Sequence, residues 1–487
     1  GCGGIGIRAA LRSLWDLSCG SSSLLSRTKC NMEEKKDNNQ NKFSTDNAVD
    51  LVSEYLENYQ NNKIFEYLND MHNADIAELL QNLDPVLRLS LLNIISNKFD
   101  PEILTYLNDS LRDEIVETLD IKQLANNAKE LDTDDAVDLV EDLEKEDQDT
   151  FLENLDEEER NLIEEGLNYP EDSAGRLMQR EFVALDESWN VGQAIDYLRG
   201  NKKNLPEDFY DIYLTDLDKK VQGVVPLGRL MGSKRDINLN SIINKELRLI
   251  EVNMDQEEVA YLFNKYGLVS APVIDEQKKI IGSITVDDVV DVIEEEREED
   301  ILKLGGVGHT DIYNTVIDTT RSRISWLIVN LMTAVVASLV IGLFEAAIEK
   351  VVALAILMPI VASMGANAGT QTLTVAVRAL AVKELTTSNA LKIIIKETVI
   401  GSINGIIFAI IISLVSIYWF QDLMLGIILG LAMVLNLILA GFAGTIIPLA
   451  LEKMRIDPAL ASAVILTTIT DVFGFLSFLG LATLFLI

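Results

Sequence analysis

Cysteine and histidine are nearly missing from this sequence of 487 residues, which contains three cysteines and two histidines. All three cysteines lie within the first 30 residues, so disulfide bonds and zinc–thiolate sites are excluded from the rest of the chain. Because few arrangements of a nucleophile and a general base remain, we do not expect an enzyme. Catalysis by carboxylates alone is the enzymatic alternative that the composition leaves open.

Positive charge is also scarce, since 41 Lys and Arg residues stand against 76 Asp and Glu residues, for a formal net charge of −35. Residues 324–487 carry eight acids and seven bases, which leaves a net charge of −34 for residues 1–323. Such a region repels nucleic-acid phosphates and attracts cations, so we expect no nucleic-acid partner. A soluble acidic domain is the ordinary interpretation of this charge, but the region is followed by a strongly apolar one.

Residues 1–31 are rich in Gly, Ser and Arg and contain no initiator methionine, unlike the chain that follows. Their one apolar run is too short and too interrupted for a signal peptide. We interpret them as a leader or an added extension, with Met32 as the natural start and a transit peptide as the alternative. Residues 1–47 as a whole are expected to be leader or disordered.

Residues 48–170 carry apolar residues at spacings of three and four, a period that predicts α-helices. Pairs of residues that favour the start of a helix recur at short intervals: Asp84-Pro85, Asp100-Pro101, Asp132-Thr133 and Asp156-Glu157. We therefore predict an acidic domain of short helices that pack in pairs as a compact superhelix.

An internal repeat follows in residues 171–304. The segment Asp216–Gly223 matches Asp275–Gly282 at an offset of 59 residues, and strands are predicted at 211–215, 223–225, 271–274 and 280–285. With a helix before and after each pair of strands, the pattern is a βαββα unit that occurs twice. This pattern resembles a tandem pair of CBS modules. Such modules bind regulatory ligands, and ATP is a candidate ligand here.

Residues 324–487 contain five apolar stretches, at 324–344, 351–377, 398–420, 423–451 and 459–487, each long enough to cross about 30 Å of hydrocarbon. Basic residues precede the first span and lie between the second and third and between the fourth and fifth. This alternation predicts a multi-pass plasma-membrane protein with cytoplasmic N-terminal domains and an external C-terminus. Residues 305–323 are predicted to form a linker helix along the membrane face, and an ordinary connector is the alternative.

One carboxylate, Asp471, lies near the middle of the last apolar stretch, and no span contains a basic residue that could neutralise it. A charge at that depth costs several kcal/mol unless it faces water or a partner, and a cation is the natural partner. Thr467 and Thr468 lie one turn earlier and can present oxygen atoms to the same ion. A protonated, hydrogen-bonded structural Asp471 is the alternative.

The second span contains a polar segment that ends at Gln371. Within it, Pro359 breaks a backbone hydrogen bond, and Asn367 shares a helix face with Gln371 at a spacing of four residues. Gly365 and Gly369 form a pair of small residues that allows close helix approach. We predict that these five residues and Thr468 line a pore, and simple helix packing is the alternative for the glycines.

Together these features resemble the MgtE family of Mg²⁺ channels. The resemblance covers residues 48–487 and is carried by the acidic helices, the repeat, the linker, the five spans, and the motifs at 359–371, 457–459 and 467–474. It implies a homodimer in the lipid bilayer with its pore between the two subunits. In that pore two Asp471 carboxylates, with Thr467 beside them, face one hydrated Mg²⁺ ion, which sheds its water reluctantly.

A second group of acids lies at the end of the repeat, where nine Asp and Glu residues occur among residues 287–300. On its own such a run is typical of a solvated helix face. The resemblance implies instead that acids of this region bind Mg²⁺ ions that regulate the pore. The candidate regulatory ligands are Asp255, Glu257, Asp288, Asp291, Glu296, Glu299 and Asp300, and Asp134, Asp135 and Asp138 are further candidates without a secure match.

Two positions depart from the family pattern. Ala463 stands where some members carry an asparagine that adds to the pore site. Gly267 stands where members carry a sensor acid, so we expect at least one regulatory site to be altered or lost.

The predicted function is Mg²⁺ uptake through a channel that closes when cytosolic Mg²⁺ neutralises and cross-links the acids. At low Mg²⁺ the acids repel one another and the linker helix leaves the pore. Two alternatives remain. One is a secondary transporter that exchanges a divalent cation against Na⁺ or H⁺, and the other is a membrane scaffold that senses nucleotides.

Overall fold

The computed structural model describes residues 45–202, 205–206, 209–244, 246–307, 316–386 and 388–486. These residues form two compact units. The first is mainly the helical region of residues 45–171, and the second contains both β-sheets and the long apolar helices. The expectations about a leader and about disorder in residues 1–44 lie outside the described residues.

The first unit consists of short helices around one apolar core, as predicted. Asp84 caps one of them by accepting a hydrogen bond from the Val86 N–H at 3.1 Å, and Asp156 and Glu159 form a capping box at another. The helix predicted after Asp100-Pro101 is a single turn. The helices are α1 (Thr45–Glu57), α2 (Asn61–Leu68), α3 (Asn73–Asn82), α4 (Pro85–Ile95), α5 (Glu102–Thr105), α6 (Asp109–Thr118), α7 (Ile121–Asn127), α8 (Thr133–Glu141), α9 (Lys145–Glu153) and α10 (Glu157–Leu167).

A buried arginine joins two helices of this unit. Arg112 of α6 is 8% exposed and forms ion pairs with Asp138 of α8 at 2.5 Å and with Asp142 at 2.7 Å. Asp138, a further candidate for cation binding, therefore already has a cationic partner within the first unit. Asp134 and Asp135 lie in the first turn of α8, where negative charge is favourable to the helix dipole.

The second unit begins with two βαββα modules, which confirms the predicted repeat. In each module the first strand pairs in parallel with the second, and the second pairs antiparallel with the third. The first strands are three and two residues long, too short for an alternating pattern to reveal them. The elements are β1 (Ala184–Asp186), α11 (Val191–Gly200), β2 (Asp211–Thr215), β3 (Val221–Pro226) and α12 (Leu227–Gly232), then β4 (Ile250–Glu251), α13 (Gln256–Tyr266), β5 (Ser270–Ile274), β6 (Ile280–Thr285) and α14 (Val286–Leu304).

The repeated sequence produces the same turn in both modules. Asp216 accepts a hydrogen bond from the Lys220 N–H at 2.9 Å, and Asp275 accepts one from the Lys279 N–H at 2.8 Å. A backbone bridge connects Lys220 directly with Lys279, its equivalent at the offset of 59 residues. Equivalent residues of the two modules therefore meet at this turn.

Five helices of the described chain are long and apolar enough to cross a membrane, in agreement with the five predicted spans. The fourth lies at the centre of the group and packs against the second, third and fifth. The helices are α15 (Val316–Gly342), the short α16 (Glu345–Lys350), α17 (Ala353–Ala381), α18 (Ala390–Phe420), α19 (Leu423–Lys453) and α20 (Pro458–Leu486).

The linker differs from its predicted form at its C-terminal end. Helix α15 begins at Val316 and continues to Gly342, so residues 316–323 are the first turns of the first span rather than a separate helix. Residues 316–341 include neither proline nor glycine, so nothing in them interrupts the helix. Helix α14 ends before Gly305, as expected. Residues 308–315, the centre of the predicted linker helix, lie outside the described residues.

Candidate functional site

Asp471 lies near the middle of α20, at the fourteenth of its 29 residues. The residue is half-buried by the chain itself. Within the part of the chain that the structure describes, its carboxylate has neither a hydrogen-bond donor nor an ion-pair partner. Because lipid cannot solvate a carboxylate, Asp471 requires water or a cation at this depth.

Thr467 and Thr468 lie one turn before Asp471 on the same helix. Their hydroxyls donate to the backbone carbonyls of Ala463 at 2.8 Å and Val464 at 2.7 Å. Each hydroxyl proton is therefore used within the helix, and the oxygen lone pairs remain to accept hydrogen bonds from water around an ion. Position 463 contributes only its backbone carbonyl, because its side chain is a methyl group.

The polar segment of α17 divides into two faces. Pro359, Asn367 and Gln371 are exposed on the surface of the single chain, and Asn367 donates to the Ser363 hydroxyl at 3.3 Å on the same face. Gly365 and Gly369 are instead buried and contact neighbouring helices. The structure therefore brings three of the predicted pore-lining residues together on one face. It gives the two glycines a packing role on the other.

The residue that meets Gly365 is Asn436 of α19, which the sequence reasoning missed. Asn436 is fully buried and donates to the Val361 carbonyl of α17 at 2.9 Å, and its own carbonyl oxygen has no hydrogen-bond partner among the described residues. A side chain at Gly365, or at Gly474 of α20, would collide with the Asn436 amide. One amide thus sets the spacing between the helices that carry Asn367 and Asp471. The sequence signal that could have identified Asn436 is an asparagine within an apolar span.

A group of carboxylates lies where the second βαββα module meets the membrane helices. We call Asp255, Glu257, Glu296, Asp300 and Asp457 the junction acids. Asp255 caps α13 through the Glu257 N–H at 3.0 Å, and Asp457 caps α20 through the Ala459 N–H at 2.7 Å. Helix α14 supplies Glu296 and Asp300. The group therefore joins α13 and α14 of the second module to α20, which begins 154 positions after α14 ends.

Burial, together with neighbouring negative charges, raises the pKa of three junction acids, Glu257, Glu296 and Asp300. Glu257 as a residue is exposed, but its carboxylate is partly desolvated. This desolvation, with the charges of Glu296, Asp255, Asp300 and Asp457, raises its pKa to about 7. Burial also raises the pKa of Glu296 and of Asp300, with smaller contributions from neighbouring acids. Acids whose pKa is raised in this way are held together against their mutual repulsion, and a bound cation would relieve it.

Three other predicted regulatory residues occupy different surroundings. Asp288 accepts a hydrogen bond from the Thr285 hydroxyl at 2.7 Å and forms a capping box at the start of α14. Burial and the neighbouring Asp287 and Glu294 raise the pKa of Asp291. Asp288 and Asp291 precede Glu296 by eight and five residues, which separates them from it by about 12 and 7.5 Å along the helix.

Glu299, the third of these residues, pairs with the one base at the end of the same helix. Lys303 lies 2.5 Å from Glu299 and 2.7 Å from Asp457. Burial alone would lower the pKa of Lys303, but its hydrogen bonds to Asp457 and Glu299 raise it above the usual lysine value. The next residue, Leu304, packs against the apolar core of the membrane helices.

Gly267, the second departure from the family pattern, has a local structural role. It ends α13 in the left-handed conformation, with φ of +61°, and its N–H donates to the Phe263 carbonyl. A side chain there would meet no atom of the described residues within 4 Å, so substitution of Gly267 is limited by backbone strain rather than by space.

Among the described residues, no set of three or more His, Cys, Asp or Glu side chains is already arranged closely enough to hold a metal ion. The chemistry of the junction acids still fits Mg²⁺, because a hard cation takes oxygen ligands and keeps several waters between itself and the protein. The carboxylate of Asp471 fits the same ion for the same reason.

Three family models match this chain. Residues 358–481 match the MgtE divalent cation transporter model, residues 71–172 the MgtE intracellular N domain, and residues 239–295 the CBS domain. The fold and these matches define a multi-pass membrane transporter of divalent cations with an intracellular helical domain and CBS modules.

Two curated relatives extend the match along the chain. The magnesium transporter MgtE of Bacillus subtilis is 32% identical over 321 residues, which are 66% of this chain and 71% of the relative. The magnesium transporter MgtE of Thermus thermophilus is 34% identical over 321 residues, 65% of this chain and 71% of the relative. The chain belongs to the MgtE family. A crystal structure of the soluble part of a magnesium transporter is also similar, with 29% identity and a TM-score of 0.46 over 52% of this chain and 99% of that one.

Proposed function

We propose that this protein takes up Mg²⁺ across the plasma membrane through a channel in which Asp471 faces the ion. The observation that carries the proposal is the half-buried Asp471 carboxylate in the middle of α20, without a partner in the described chain. Membership of a family whose relatives are named magnesium transporters supports Mg²⁺ as the ion. The retained waters of Mg²⁺ would donate hydrogen bonds to the oxygen atoms of Thr467 and of the exposed Asn367 and Gln371.

The channel is proposed to lie between two copies of the chain. The face of α17 that carries Pro359, Asn367 and Gln371 is exposed in one chain, and an amide side chain against lipid is unfavourable. A second copy would place these faces against a shared water-filled pore. Purified protein that is only monomeric in native mass measurements would contradict this part of the proposal.

The junction acids are proposed to sense cytosolic Mg²⁺ and to close the channel when they bind it. Asp457 caps α20, the helix that carries Asp471 fourteen residues later, about 21 Å along the axis. An ion held between Asp457 and the acids of α13 and α14 would therefore act directly on the helix of the pore carboxylate. For the coupling to work, Mg²⁺ must bind the closed state more tightly than the open one.

The proposed orientation places the βαββα modules in the cytoplasm and the C-terminus outside. It follows from the basic residues that flank the spans, such as Lys453 at the end of α19 and Arg455 between α19 and α20. A tag added after the C-terminal residue should be accessible to protease from outside intact cells. ATP binding by the modules stays a prediction, and no enzymatic step is proposed.

Replacing the pore carboxylate tests the pathway. Asp471→Asn keeps the size and removes the charge, so Mg²⁺ uptake by cells or vesicles should fall at least tenfold at equal protein level. Asp422→Asn is the matched control. Asp422 caps α19 outside the apolar segment through the N–H groups of Met424 and Leu425, and asparagine can keep those bonds. Equal uptake by both variants would contradict the proposed role of Asp471.

A secondary transporter is the rival that shares the requirement for a membrane carboxylate. A channel and a secondary transporter can be distinguished by abolishing the Na⁺ and H⁺ gradients while a membrane potential is maintained. A channel continues to pass Mg²⁺ under potential alone, whereas an exchanger stops. Loss of Mg²⁺ flux under these conditions would favour the exchanger over the channel.

A further inference from the structure

We propose that Lys303 is a built-in counter-ion of the junction acids and that it sets the Mg²⁺ concentration at which they respond. The inference rests on the proposed sensing role of the junction acids. Lys303 would compete with Mg²⁺ for the carboxylates of the site. The apparent Mg²⁺ affinity of the junction acids would then depend on how strongly Lys303 is bound.

The geometry places the Lys303 ammonium between carboxylates of two different elements. Its nitrogen lies 2.5 Å from Glu299, one turn earlier on α14, and 2.7 Å from Asp457 Oδ2 at the start of α20. The other Asp457 oxygen, Oδ1, is occupied as the helix cap. Asp457 is therefore held in place by its own helix, and its remaining oxygen is the one that Lys303 contacts.

The backbone of Lys303 is fixed by packing of its neighbour Leu304, whereas its ammonium is held by ion pairs at the end of a flexible side chain. Leu304 packs against the apolar core formed by residues such as Leu373 and Leu466, which fixes the end of α14 on the membrane helices. The lysine ammonium sits on a flexible four-carbon stem and is 21% exposed as a side chain. The ammonium can therefore leave the carboxylates while the helix keeps its position.

A Mg²⁺ ion that approached Asp457 would meet this ammonium at close range. The same oxygen cannot contact both cations at full strength, and two positive charges a few ångströms apart repel each other strongly in a partly buried site. Mg²⁺ must therefore displace Lys303 or bind more weakly beside it. With Lys303 in place, Asp457 would stay paired at low Mg²⁺, and the junction acids would bind the divalent ion only when it is abundant enough to compete with the ammonium.

Removing the lysine charge should then shift the response to lower Mg²⁺ concentrations. The test uses the full-length protein purified in detergent, with its melting temperature measured across a titration of MgCl₂. In Lys303→Met the acids lose their internal counter-ion, so the Mg²⁺ concentration that gives half of the thermal stabilisation should fall about tenfold. Lys303→Arg keeps a positive charge and should stay within about threefold of the unmodified protein.

A second lysine at the same boundary provides the matched control. Lys383, in the loop after α17, lies 3.8 Å from Glu258 and stacks over the Tyr261 ring at 4.4 Å. It joins the second module to the membrane helices without contacting a junction acid. Lys383→Met should therefore lower the melting temperature without shifting the midpoint of the Mg²⁺ titration.

The outcomes separate competition from simple clamping. If Lys303 only clamps α14 to α20, Lys303→Met lowers the melting temperature and leaves the midpoint unchanged, which overturns this inference alone. A protein without any Mg²⁺-dependent midpoint overturns the sensing role of the junction acids and this inference with it. Should Lys303→Met be too unstable in detergent, Mg²⁺ flux in native membrane vesicles gives the same midpoint as an inhibition curve.

Discussion

Asn436 donates a hydrogen bond to the Val361 carbonyl at 2.9 Å, and its amide fills the space that a side chain at Gly365 would need. The relationship joins α19 to α17 inside the apolar part of the protein. The Asn436 amide also lies against Gly474 of α20, so it positions the helices that carry Asn367 and Asp471. The glycine and the asparagine are therefore a complementary pair, and changing one alters what the other can tolerate.

This pair predicts a non-additive double substitution. Gly365→Ala places a methyl group against the Asn436 amide, which should cost about 1–3 kcal/mol of stability and lower Mg²⁺ uptake. Adding Asn436→Ala removes the obstacle, so the double variant should be little less stable than Asn436→Ala alone. Thermal unfolding and uptake per mole of folded protein measure both effects.

Gly480→Ala is the control for that experiment, because a methyl group at Gly480 of α20 meets no atom of the described chain within 4 Å. It should have almost no effect on either quantity. Fully additive losses for Gly365→Ala and Asn436→Ala would show that the two residues act independently, contrary to the packing described here.

A second prediction concerns pH in the absence of Mg²⁺. Glu257 has a pKa raised to about 7 in the folded protein, because of desolvation and the charges of Glu296, Asp255, Asp300 and Asp457. Between its ordinary pKa of 4.5 and about 7, the folded state holds a proton that the unfolded state has lost. Stability must therefore fall as pH rises through this window, and little further loss from Glu257 is expected above it.

Burial also raises the pKa values of Glu296 and Asp300, so these two acids likewise lower stability as pH rises. The positive charge of Lys303 lowers the pKa of Asp300 and makes its contribution smaller. Melting temperatures of the Mg²⁺-free protein from pH 4.5 to 8 should show the decline, and Glu257→Gln should make it shallower. Glu276→Gln, on an exposed turn of the same module, should leave the slope as it is. An identical slope in both variants would contradict the assigned role of Glu257.

A third prediction concerns the glycine that ends α13. Gly267→Ala should destabilise the protein by about 1 kcal/mol, because a residue with a side chain is strained at φ of +61°. Gly228→Ala, in α12 and with open space around it, should be neutral or slightly stabilising. Chemical denaturation of the two variants side by side gives the comparison, and equal stability would remove the structural explanation for Gly267.

Features encoded by neighbouring residues were predictable from the sequence. The five spans follow from apolar length, and the repeat follows from Asp216 and Asp275, which form matching turns. The sequence also allows the prediction that the glycines and the amides of α17 lie on different faces of the helix. Gly365 and Asn367 differ by two residues, about 200° around a helix, so they cannot share a face.

Features that depend on distant residues were not predictable in the same way. Lys303 and Asp457 are 154 positions apart, and nothing in the local pattern of either one identifies the other. Nine acids in residues 287–300 looked alike in the sequence, yet Asp288 serves as a helix cap and Glu296 lies among the junction acids. Only the packing of α14 against α13 and α20 distinguishes them.

The proposal that the junction acids, near the pore helix, sense cytosolic Mg²⁺ and close the channel can be checked by recording Mg²⁺ current in inside-out membrane patches while Mg²⁺ on the cytosolic side is varied. Glu296→Gln with Asp300→Gln removes two junction charges, and Glu294→Gln with Glu298→Gln removes two exposed charges of the same helix. The first pair should raise the half-inhibiting Mg²⁺ concentration at least tenfold, and the second pair should leave it unchanged. Superimposable inhibition curves for the first pair and the unmodified protein would contradict the sensing role of the junction acids.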